Sequence, residues 1–223
     1  MNKHQNKIDA LLFDLDGTLV DTAADFIEVL NAQRTRHNFE SLSEQAIRNT
    51  VSNGARALTQ LAFGGREGEE LFEQYRAELL ENYMQVVGIH AKLFDGMSEI
   101  LLICEEKEIP WGIITNKPRK FTEKLMIKLE LSSRCSILLC ADDVTQPKPH
   151  PESMFIAANK LNIDLKRSVY VGDHDRDIAA GNAASMITVA AEYGYINSNS
   201  KLTDWNASHI IQHPSQLKQL FLA

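Results

Sequence analysis

Two aspartates that directly follow a short apolar run constrain this chain more than any other feature of its sequence. The run Ala10–Phe13 is long enough for a buried strand and too short for a stable helix, and it leads into Asp14-Leu15-Asp16-Gly17. Burying an ionised carboxylate is costly unless the group is paired or bound to a metal. Since open α/β sheets place their ligand crevice at the carboxyl ends of the strands, the two carboxylates indicate a site.

Backbone geometry brings these two carboxylates together. In an extended backbone Asp14 and Asp16 point to the same side, and Gly17 lets the chain turn without a side-chain clash. Two hard oxygen donors that face one small volume suit Mg²⁺. Taken alone, the stretch has an alternative interpretation as a solvated turn after an edge strand, with Asp-Gly as ordinary turn residues.

Length and charge limit the classes of protein to which the chain can belong. Its 223 residues fit one large domain, or a core with a smaller inserted domain. The formal net charge of −7, without any basic run, argues against a nucleic-acid partner. No apolar stretch approaches ~18 residues and the start is polar, so we expect a soluble cytoplasmic protein with no membrane partner. Both a monomer and a homodimer remain open.

The three cysteines show no spacing typical of metal ligands. Cys135 and Cys140 fall in or beside apolar runs, and an odd cysteine would remain if any two were paired. We therefore expect reduced thiols in the core.

The order of helical and strand patterns predicts a helical insertion within an α/β chain. From residue 23 to about residue 90 the pattern is helical, with no strong strand candidate, and we interpret this segment as four helices. After it, strands alternate with helices, which implies right-handed crossovers and a parallel sheet covered on both faces. The later predicted strands are 111–115, 137–141, 169–172 and 186–191, and the predicted helices are 95–107, 118–131, 151–161, 175–184 and 214–221.

Two of these strands lead into residues that suit anion binding. Thr115 and Asn116 follow the second strand, where a hydroxyl and an amide can hold an anion at the helix start or simply cap the helix. After the third strand, Lys148 lies among three prolines in Pro147-Lys-Pro-His-Pro151. Such a stiff frame suits a fixed point charge for phosphate better than it suits a solvated loop lysine.

The fourth strand ends in a second group of carboxylates. Asp173 follows Gly172 directly and is the expected direct metal ligand, while Asp177 lies one helical turn later and ligates through water or orients the other ligands. Between them, Asp175 and Arg176 are expected to cap the helix or pair locally. An oxygen-rich set of this kind favours Mg²⁺ over zinc.

These four groups of residues, in this order, resemble the motifs of the haloacid dehalogenase-like hydrolases over nearly the whole chain. The resemblance is carried by Phe-Asp-Leu-Asp-Gly-Thr-Leu-Val-Asp-Thr at 13–22, by Thr-Asn at 115–116, by Lys-Pro-His-Pro at 148–151 and by Gly-Asp-His-Asp-Arg-Asp at 172–177. It implies a Rossmann-like α/β core at 1–22 and 91–223 with sheet order 3-2-1-4-5. It also implies that 23–90 is a helical cap of the C1 type, inserted after the first strand.

The same resemblance implies a Mg²⁺-dependent phosphomonoesterase with assigned residues. Asp14 would be the nucleophile that forms an aspartyl-phosphate, and Asp16 the general acid and base. The metal would be held by Asp14, the backbone carbonyl of Asp16, Asp173 and Asp177. Thr115, Asn116 and the catalytic Lys148 would hold the transferring phosphoryl group.

Substrate choice is expected in the insertion, and two substrates fit the resemblance. Within the family the chain resembles phosphoglycolate phosphatase-like proteins, and among them the branch that acts on N-acetylmuramic acid 6-phosphate. The strings include Asn-Gly-Ala-Arg at 53–56, where Arg56 is the candidate for a substrate carboxylate or phosphate, or else a solvent-facing helix residue. The partner is thus a small phosphorylated metabolite. A β-phosphoglucomutase-like phosphotransferase and a non-catalytic phosphometabolite-binding protein are the alternatives.

Overall fold

Eight strands and nine α-helices make up the computed structural model, which describes residues 8–197 and 200–222. The strands are β1 (Ala10–Phe13), β2 (Val20–Asp21), β3 (Lys92–Leu93), β4 (Trp111–Ile114), β5 (Ile137–Leu139), β6 (Ser168–Gly172), β7 (Ile187–Ala191) and β8 (His209–Ile211). The helices are α1 (Ala23–Arg36), α2 (Glu44–Arg48), α3 (Gly54–Phe63), α4 (Glu70–Val86), α5 (Met97–Glu106), α6 (Arg119–Lys128), α7 (Glu152–Leu161), α8 (Asp175–Ala183) and α9 (Gln219–Leu222).

Six of the strands form one parallel sheet in the order β5-β4-β1-β6-β7-β8. The first strand lies in the interior of the sheet, where all four residues of Ala10–Phe13 are buried. Strands covered on both faces need continuous apolar runs, which is the pattern of this segment. The carboxyl ends of β1, β4 and β6 therefore meet at one edge of the sheet, which is where ligands bind in folds of this class.

Helices α1 to α4 lie between the first and second strands of this sheet. The chain leaves through β2 and returns through β3, and these two strands pair antiparallel, with Val20 opposite Leu93 and Asp21 opposite Lys92. Just beyond this two-stranded ribbon, the buried Asp25 in α1 accepts backbone hydrogen bonds from Gly88 and His90. The start and the end of the helical segment are thereby held together.

One apolar cluster joins these helices to the sheet. Leu30 of α1 and Leu79 of α4 belong to the same buried cluster as Leu11 of β1 and Leu101 of α5. A second, smaller cluster on the other face of the sheet includes Leu12. Both faces of the sheet are thus covered, and none of the helices in the described part of the chain combines the length and apolar character needed to cross a bilayer.

The structure confirms the α/β class with a mainly parallel sheet and corrects its details. The predicted order of five strands is incomplete, because β8 adds a sixth strand beside β7. Its sequence, His-Ile-Ile, is short and largely exposed, so it gave no strand signal. The predicted strand 137–141 ends at Leu139 because Ala141–Asp143 forms a 3-10 turn, and the predicted helix 118–131 spans only Arg119–Lys128. The predicted helix 214–221 begins as the 3-10 turn Pro214–Lys218.

Candidate active site

The predicted site residues of four strands lie at one edge of the sheet. Asp14 follows β1 and donates its backbone N–H to the carbonyl of Val171 in β6, at 2.8 Å. Thr115 follows β4 and donates its backbone N–H to Leu139 of β5, at 2.9 Å. Neighbouring parallel strands thus hold these ends in register. Residues that are far apart in the sequence come close together because the parallel strands end at the same edge of the sheet.

Three buried carboxylates face one small volume. Oxygens of Asp14, Asp173 and Asp177 all lie within 4.8 Å of one another. Asp173 accepts hydrogen bonds from Thr18 Oγ1 at 3.1 Å and from Ser52 Oγ at 2.8 Å. These contacts fix the direction of the Asp173 carboxylate. The Asp16 side chain is not a member of the trio.

Lys148 lies beneath this trio and is almost fully buried. Its Nζ donates to Asp177 Oδ1 at 2.6 Å, to the Tyr170 hydroxyl at 2.8 Å and to the Ile114 carbonyl at 2.9 Å. Asp14 Oδ1 lies 3.0 Å from the same nitrogen. An ammonium has three hydrogens, and the three hydrogen bonds use them all. The contact with Asp14 is therefore an ion pair, and Asp14 Oδ1 is a buried oxygen without a hydrogen-bond donor.

Charge and burial shift the acidities of the three carboxyl groups in different directions. Burial raises the pKa of Asp173 to about 7, and the charges of Asp14 and Asp177 add to the effect. Burial also raises the pKa of Asp177, to about 6, although Lys148 opposes the shift. For Asp14 burial again acts upward, but Lys148 and Arg176 outweigh it and hold its pKa below the usual value. Asp14 is thus the member of the trio that stays ionised most readily.

The donor set of the trio fits a hard divalent cation. All three groups offer carboxylate oxygens, and hard cations prefer oxygen ligands. Asp14 Oδ1, whose one close contact is the ion pair with Lys148, could also bind a metal, and a further positive charge would relieve the repulsion among three buried acids. The residues present therefore fit a metal, with Asp14, Asp173 and Asp177 as side-chain ligands.

Asp16 is held by a lysine that the sequence analysis did not single out. Lys117 Nζ lies 2.9 Å from Asp16 Oδ1 and 3.2 Å from Oδ2, and it also donates to the Tyr83 hydroxyl of α4 at 2.9 Å. Thr22 Oγ1 donates to Asp16 Oδ1 at 2.6 Å. Helix α4 is therefore linked to Asp16 through one buried ammonium. No local signal marked Lys117, because its role depends on packing between α4 and the end of β4.

A cleft of about 560 Å³ opens between the strand ends and the helical segment. Asp14, Asp16 and Thr115 lie in its wall, together with Arg56 from the start of α3. The Arg56 side chain is 64% exposed and forms a salt bridge with Glu67 at 2.8 Å, so it borders the cleft and also faces solvent. The other lining residues are Phe26, Val51, Ser52, Asn53, Gly54, Ala55, Arg76, Leu80, Tyr83, Asn116, Lys117, Pro118, Phe121, Ala141, Pro147 and Arg176.

The side chain of Asn116 fixes the backbone of the lysine loop. Its Oδ1 accepts from the Lys148 backbone N–H at 3.1 Å, and its Nδ2 donates to the Lys148 carbonyl at 2.9 Å. The Thr115 hydroxyl oxygen accepts from the Lys117 backbone N–H at 3.2 Å, and its own hydrogen has no acceptor among residues 8–197 and 200–222. Thr115 therefore keeps a donor for an anion, whereas the Asn116 amide is mainly engaged in holding Lys148.

Arg176 lies in the cleft wall, contrary to the expectation that it caps its helix or pairs locally. Its guanidinium donates to the backbone carbonyl of Ser52 in the turn before α3. His174 and Asn53 form a second contact between the same parts, with 3.0 Å between His174 Nε2 and Asn53 Oδ1. No local sequence pattern indicates these positions of Arg176 and Ser52, because contacts between distant segments decide them.

Gly17 is required by close packing over the trio. Its φ of +79° lies in the left-handed region, and a Cβ there would lie 2.1 Å from Asp173 Oδ2. The missing side chain at Gly17 thus allows the turn after β1 and also the close contact between the ends of β1 and β6.

The chain is similar to known proteins over most of its length. Residues 11–191 match the family described as haloacid dehalogenase-like hydrolase. An N-acetylmuramic acid 6-phosphate phosphatase of Pseudomonas putida is 39% identical over 214 residues, covering 96% of both chains. A phosphoglycolate phosphatase of Xanthomonas campestris is 36% identical over 208 residues, covering 93% of this chain and 94% of the relative.

Solved structures share the fold over the same length. A structure described as a predicted phosphoglycolate phosphatase from Haemophilus somnus superposes with a TM-score of 0.84 at 23% identity, covering 96% of this chain and 97% of the other. Identity at this level supports the fold alone. The helical insertion and the sheet are both included in the match, since almost the full length of each chain is covered.

Proposed function

Because the chain belongs to the haloacid dehalogenase-like hydrolases, we propose that it is a phosphatase that hydrolyses a small phosphomonoester through an aspartyl-phosphate on Asp14. The carrying observation is the Asp14 carboxylate itself. It is buried at the wall of the cleft and lies 3.0 Å from the Lys148 ammonium, which lowers its pKa, so it is present as the anion that a nucleophile requires.

In the first step an Asp14 oxygen attacks phosphorus, and the bond from phosphorus to the ester oxygen breaks. Asp16 gives a proton to the departing alkoxide. In the second step water attacks the phosphorus, Asp16 takes the proton of that water, and the aspartyl-phosphate bond breaks to release phosphate. For this role Asp16 must exchange its contact with Lys117 for the leaving oxygen, since the ammonium spans both of its oxygens at 2.9 and 3.2 Å.

The surrounding residues bind and orient the phosphoryl group. The Thr115 hydroxyl has a hydrogen free for a phosphoryl oxygen, and Lys148 supplies a positive charge from beneath. Asn116 acts through its two hydrogen bonds to the Lys148 backbone. Asp14, Asp173 and Asp177, with the Asp16 carbonyl, would hold Mg²⁺. When bound, that ion supplies charge neutralisation between the two anions.

We further propose that the helical segment 23–90 is a cap that selects the substrate, and that a carboxylated sugar phosphate is preferred over phosphoglycolate. A cleft of about 560 Å³ lies in the range of pockets for ligands much larger than a two-carbon acid. The relative named N-acetylmuramic acid 6-phosphate phosphatase has the higher identity of the two reported. Arg56 is the candidate for the substrate carboxylate.

Phosphate release from matched compounds tests this function. We expect Mg²⁺-dependent turnover, abolished by EDTA, with N-acetylmuramic acid 6-phosphate hydrolysed faster than N-acetylglucosamine 6-phosphate or phosphoglycolate. Asp14→Asn should lose activity by about 10⁴-fold or more, because the amide is no nucleophile. The exposed Asp204→Asn is the matched control and should retain full activity.

Each outcome bears on a different part of the proposal. Near-normal turnover of Asp14→Asn would refute the assigned nucleophile. Preference for phosphoglycolate would refute the substrate while leaving the chemistry in place. Turnover that requires a sugar bisphosphate activator, without phosphate release, would assign the chain to the phosphotransferase alternative.

A further inference from the structure

Four cations line the cleft, and one of them differs from the others. Three form salt bridges: Arg56 with Glu67 at 2.8 Å, Arg76 with Glu73 at 2.6 Å and Lys117 with Asp16 at 2.9 Å. Arg176 forms no salt bridge with any residue that the structure describes. Its positive charge is therefore not paired directly with a carboxylate, although it lies in the same wall as Asp14.

The guanidinium of Arg176 is oriented but not saturated. One terminal nitrogen donates to the Ser52 carbonyl, which fixes the plane of the group. The Nε atom is buried and has no hydrogen-bond acceptor among the described residues. A buried donor left without a partner is costly, so such an atom beside a cleft indicates a ligand that completes it. A planar cation with a free N–H suits an anion with several oxygens, of which phosphate is the best match.

Lys148 cannot serve this purpose in the same arrangement. Its three hydrogens are already donated to Asp177, Tyr170 and Ile114, and it is absent from the cleft wall in the described part of the chain. To contact a phosphoryl oxygen directly, it would have to give up one of these partners. Arg176 needs no such exchange.

We propose that Arg176 is a further catalytic residue, which binds an oxygen of the phosphoryl group that Asp14 attacks. The charge of Arg176 also contributes to the low pKa of Asp14, after burial and Lys148, which agrees with its closeness to the nucleophile. This inference rests on the proposed phosphatase function. The two cations then have different roles: Lys148 positions Asp14 and Asp177, whereas Arg176 binds the substrate from the cleft.

Ser52 links Arg176 to the proposed metal site. The Ser52 side chain donates to Asp173 at 2.8 Å, while its carbonyl accepts from Arg176. The turn that precedes α3 therefore orients both a proposed metal ligand and a proposed phosphate ligand. Arg176 points its free donor correctly only while this turn lies against α8.

Binding of inorganic phosphate, measured by calorimetry in the presence of Mg²⁺, separates binding from turnover. The experiment would compare the wild type with Arg176→Met, Arg176→Lys and the exposed control Arg66→Met. For each protein kcat, KM and the thermal midpoint would also be measured. Arg176→Met should weaken phosphate binding about tenfold or more, as expected for a lost charge-assisted hydrogen bond. It should lower kcat/KM by about 100-fold, as for the loss of one oxyanion donor. Arg176→Lys should recover part of both losses, and Arg66→Met should match the wild type.

The outcomes distinguish the two levels of the proposal. If Arg176→Met binds phosphate with wild-type affinity, the residue has at most a structural role in holding the turn, and the inference is overturned even if the thermal midpoint falls. If the wild type is active and the variant equally so, only the role of Arg176 is lost. If the wild type neither releases nor binds phosphate, the proposed function fails and the inference fails with it.

Discussion

At the scale of single residues, three carboxyl groups share one buried volume and oppose one another. Burial and the neighbouring charges raise the pKa of Asp173 to about 7 and that of Asp177 to about 6. A carboxyl pKa that is higher in the folded than in the unfolded state means that the folded state binds the proton more tightly. The contribution of Asp173 to stability thus falls as pH rises from about 3.8, its ordinary pKa, through about 7. Above that pH Asp173 is ionised in the folded state, and the metal-free protein is destabilised by the full free-energy cost of burying this charge.

Replacement of Asp173 by asparagine tests this balance. At pH 8 without metal, Asp173→Asn should raise the thermal midpoint, by about 2–4 °C for each kcal/mol of repulsion removed. The rise in midpoint that Mg²⁺ gives the wild type should be absent in the variant, because one ligand is missing. Thermal unfolding with Mg²⁺ and with EDTA measures both quantities. A variant that is less stable without metal, or that keeps the full Mg²⁺ effect, would contradict the prediction, and Asp204→Asn serves as the control.

Site residues that directly follow a buried strand could be predicted from the sequence, whereas residues positioned by packing between distant segments could not. Asp14, Thr115 and Asp173 each follow a buried strand directly, so the apolar run and the polar residue after it predicted the site together. Lys117, Ser52 and Arg176 owe their positions to contacts between the helical segment and the sheet. No local pattern marks such contacts.

At the scale of elements, helix α4 is tied to the end of β4 by a hydrogen bond between Tyr83 and the buried Lys117, which also forms an ion pair with Asp16. The side chains of Lys117 and Asp16 are 6% and 15% exposed, and Tyr83 of α4 accepts from the same ammonium. Burial raises the pKa of Tyr83 to about 12, so its hydroxyl stays neutral at physiological pH and acts as a dipole. Phe26 and Tyr83 stack on each other, and their ring centres lie 5.1 and 4.7 Å from the ammonium Nζ.

Loss of one partner of this pair should be costly. Lys117→Met leaves the Asp16 charge without its cation, and we expect the free energy of unfolding to fall by about 3 kcal/mol. Tyr83→Phe removes only one hydrogen bond and should cost about 1 kcal/mol. Urea denaturation at pH 7 compares the two variants. Equal losses for both, or no loss for Lys117→Met, would show that the ion pair between Lys117 and Asp16 adds little to stability beyond the hydrogen bond between Lys117 and Tyr83.

The strand and helix pattern was predictable to the extent that burial is continuous. Fully buried strands such as β1, β4 and β6 appear in the sequence as apolar runs. By contrast, β8 is exposed at two of its three residues, and β2 and β3 are two residues long. Their pairing is set by the position of the chain in the fold, so their own composition gives no sufficient signal.

At the scale of the whole molecule, the cysteines report on the integrity of the fold. Burial raises the pKa of Cys104 to about 12 and that of both Cys135 and Cys140 to about 11. The reactive thiolate therefore appears only as the pH approaches these values. At pH 8 the thiolate fraction of each is on the order of 10⁻³ or less, against a sizeable fraction for an ordinary thiol.

Alkylation kinetics should follow from these values. Native protein treated with iodoacetamide at pH 8 should react at all three cysteines at least ~100-fold more slowly than denatured protein, because the native thiols are almost fully protonated. Mass spectrometry counts the modified residues with time. If one native cysteine reacted as fast as in the denatured chain, the raised pKa of that thiol would be refuted.

The two-stranded ribbon of β2 and β3 has a consequence for how the molecule can be rebuilt. Since Val20 lies opposite Leu93, the chain departs and returns at neighbouring points, and everything between them is topologically a single long hairpin loop. A different helical unit could be grafted onto the same two strands without rerouting the sheet. Strands β2 and β3 are therefore attachment points at which the helical unit can be exchanged while the chemistry at the strand ends is kept. The grafted unit must also cover the apolar surface that Leu30 and Leu79 now cover.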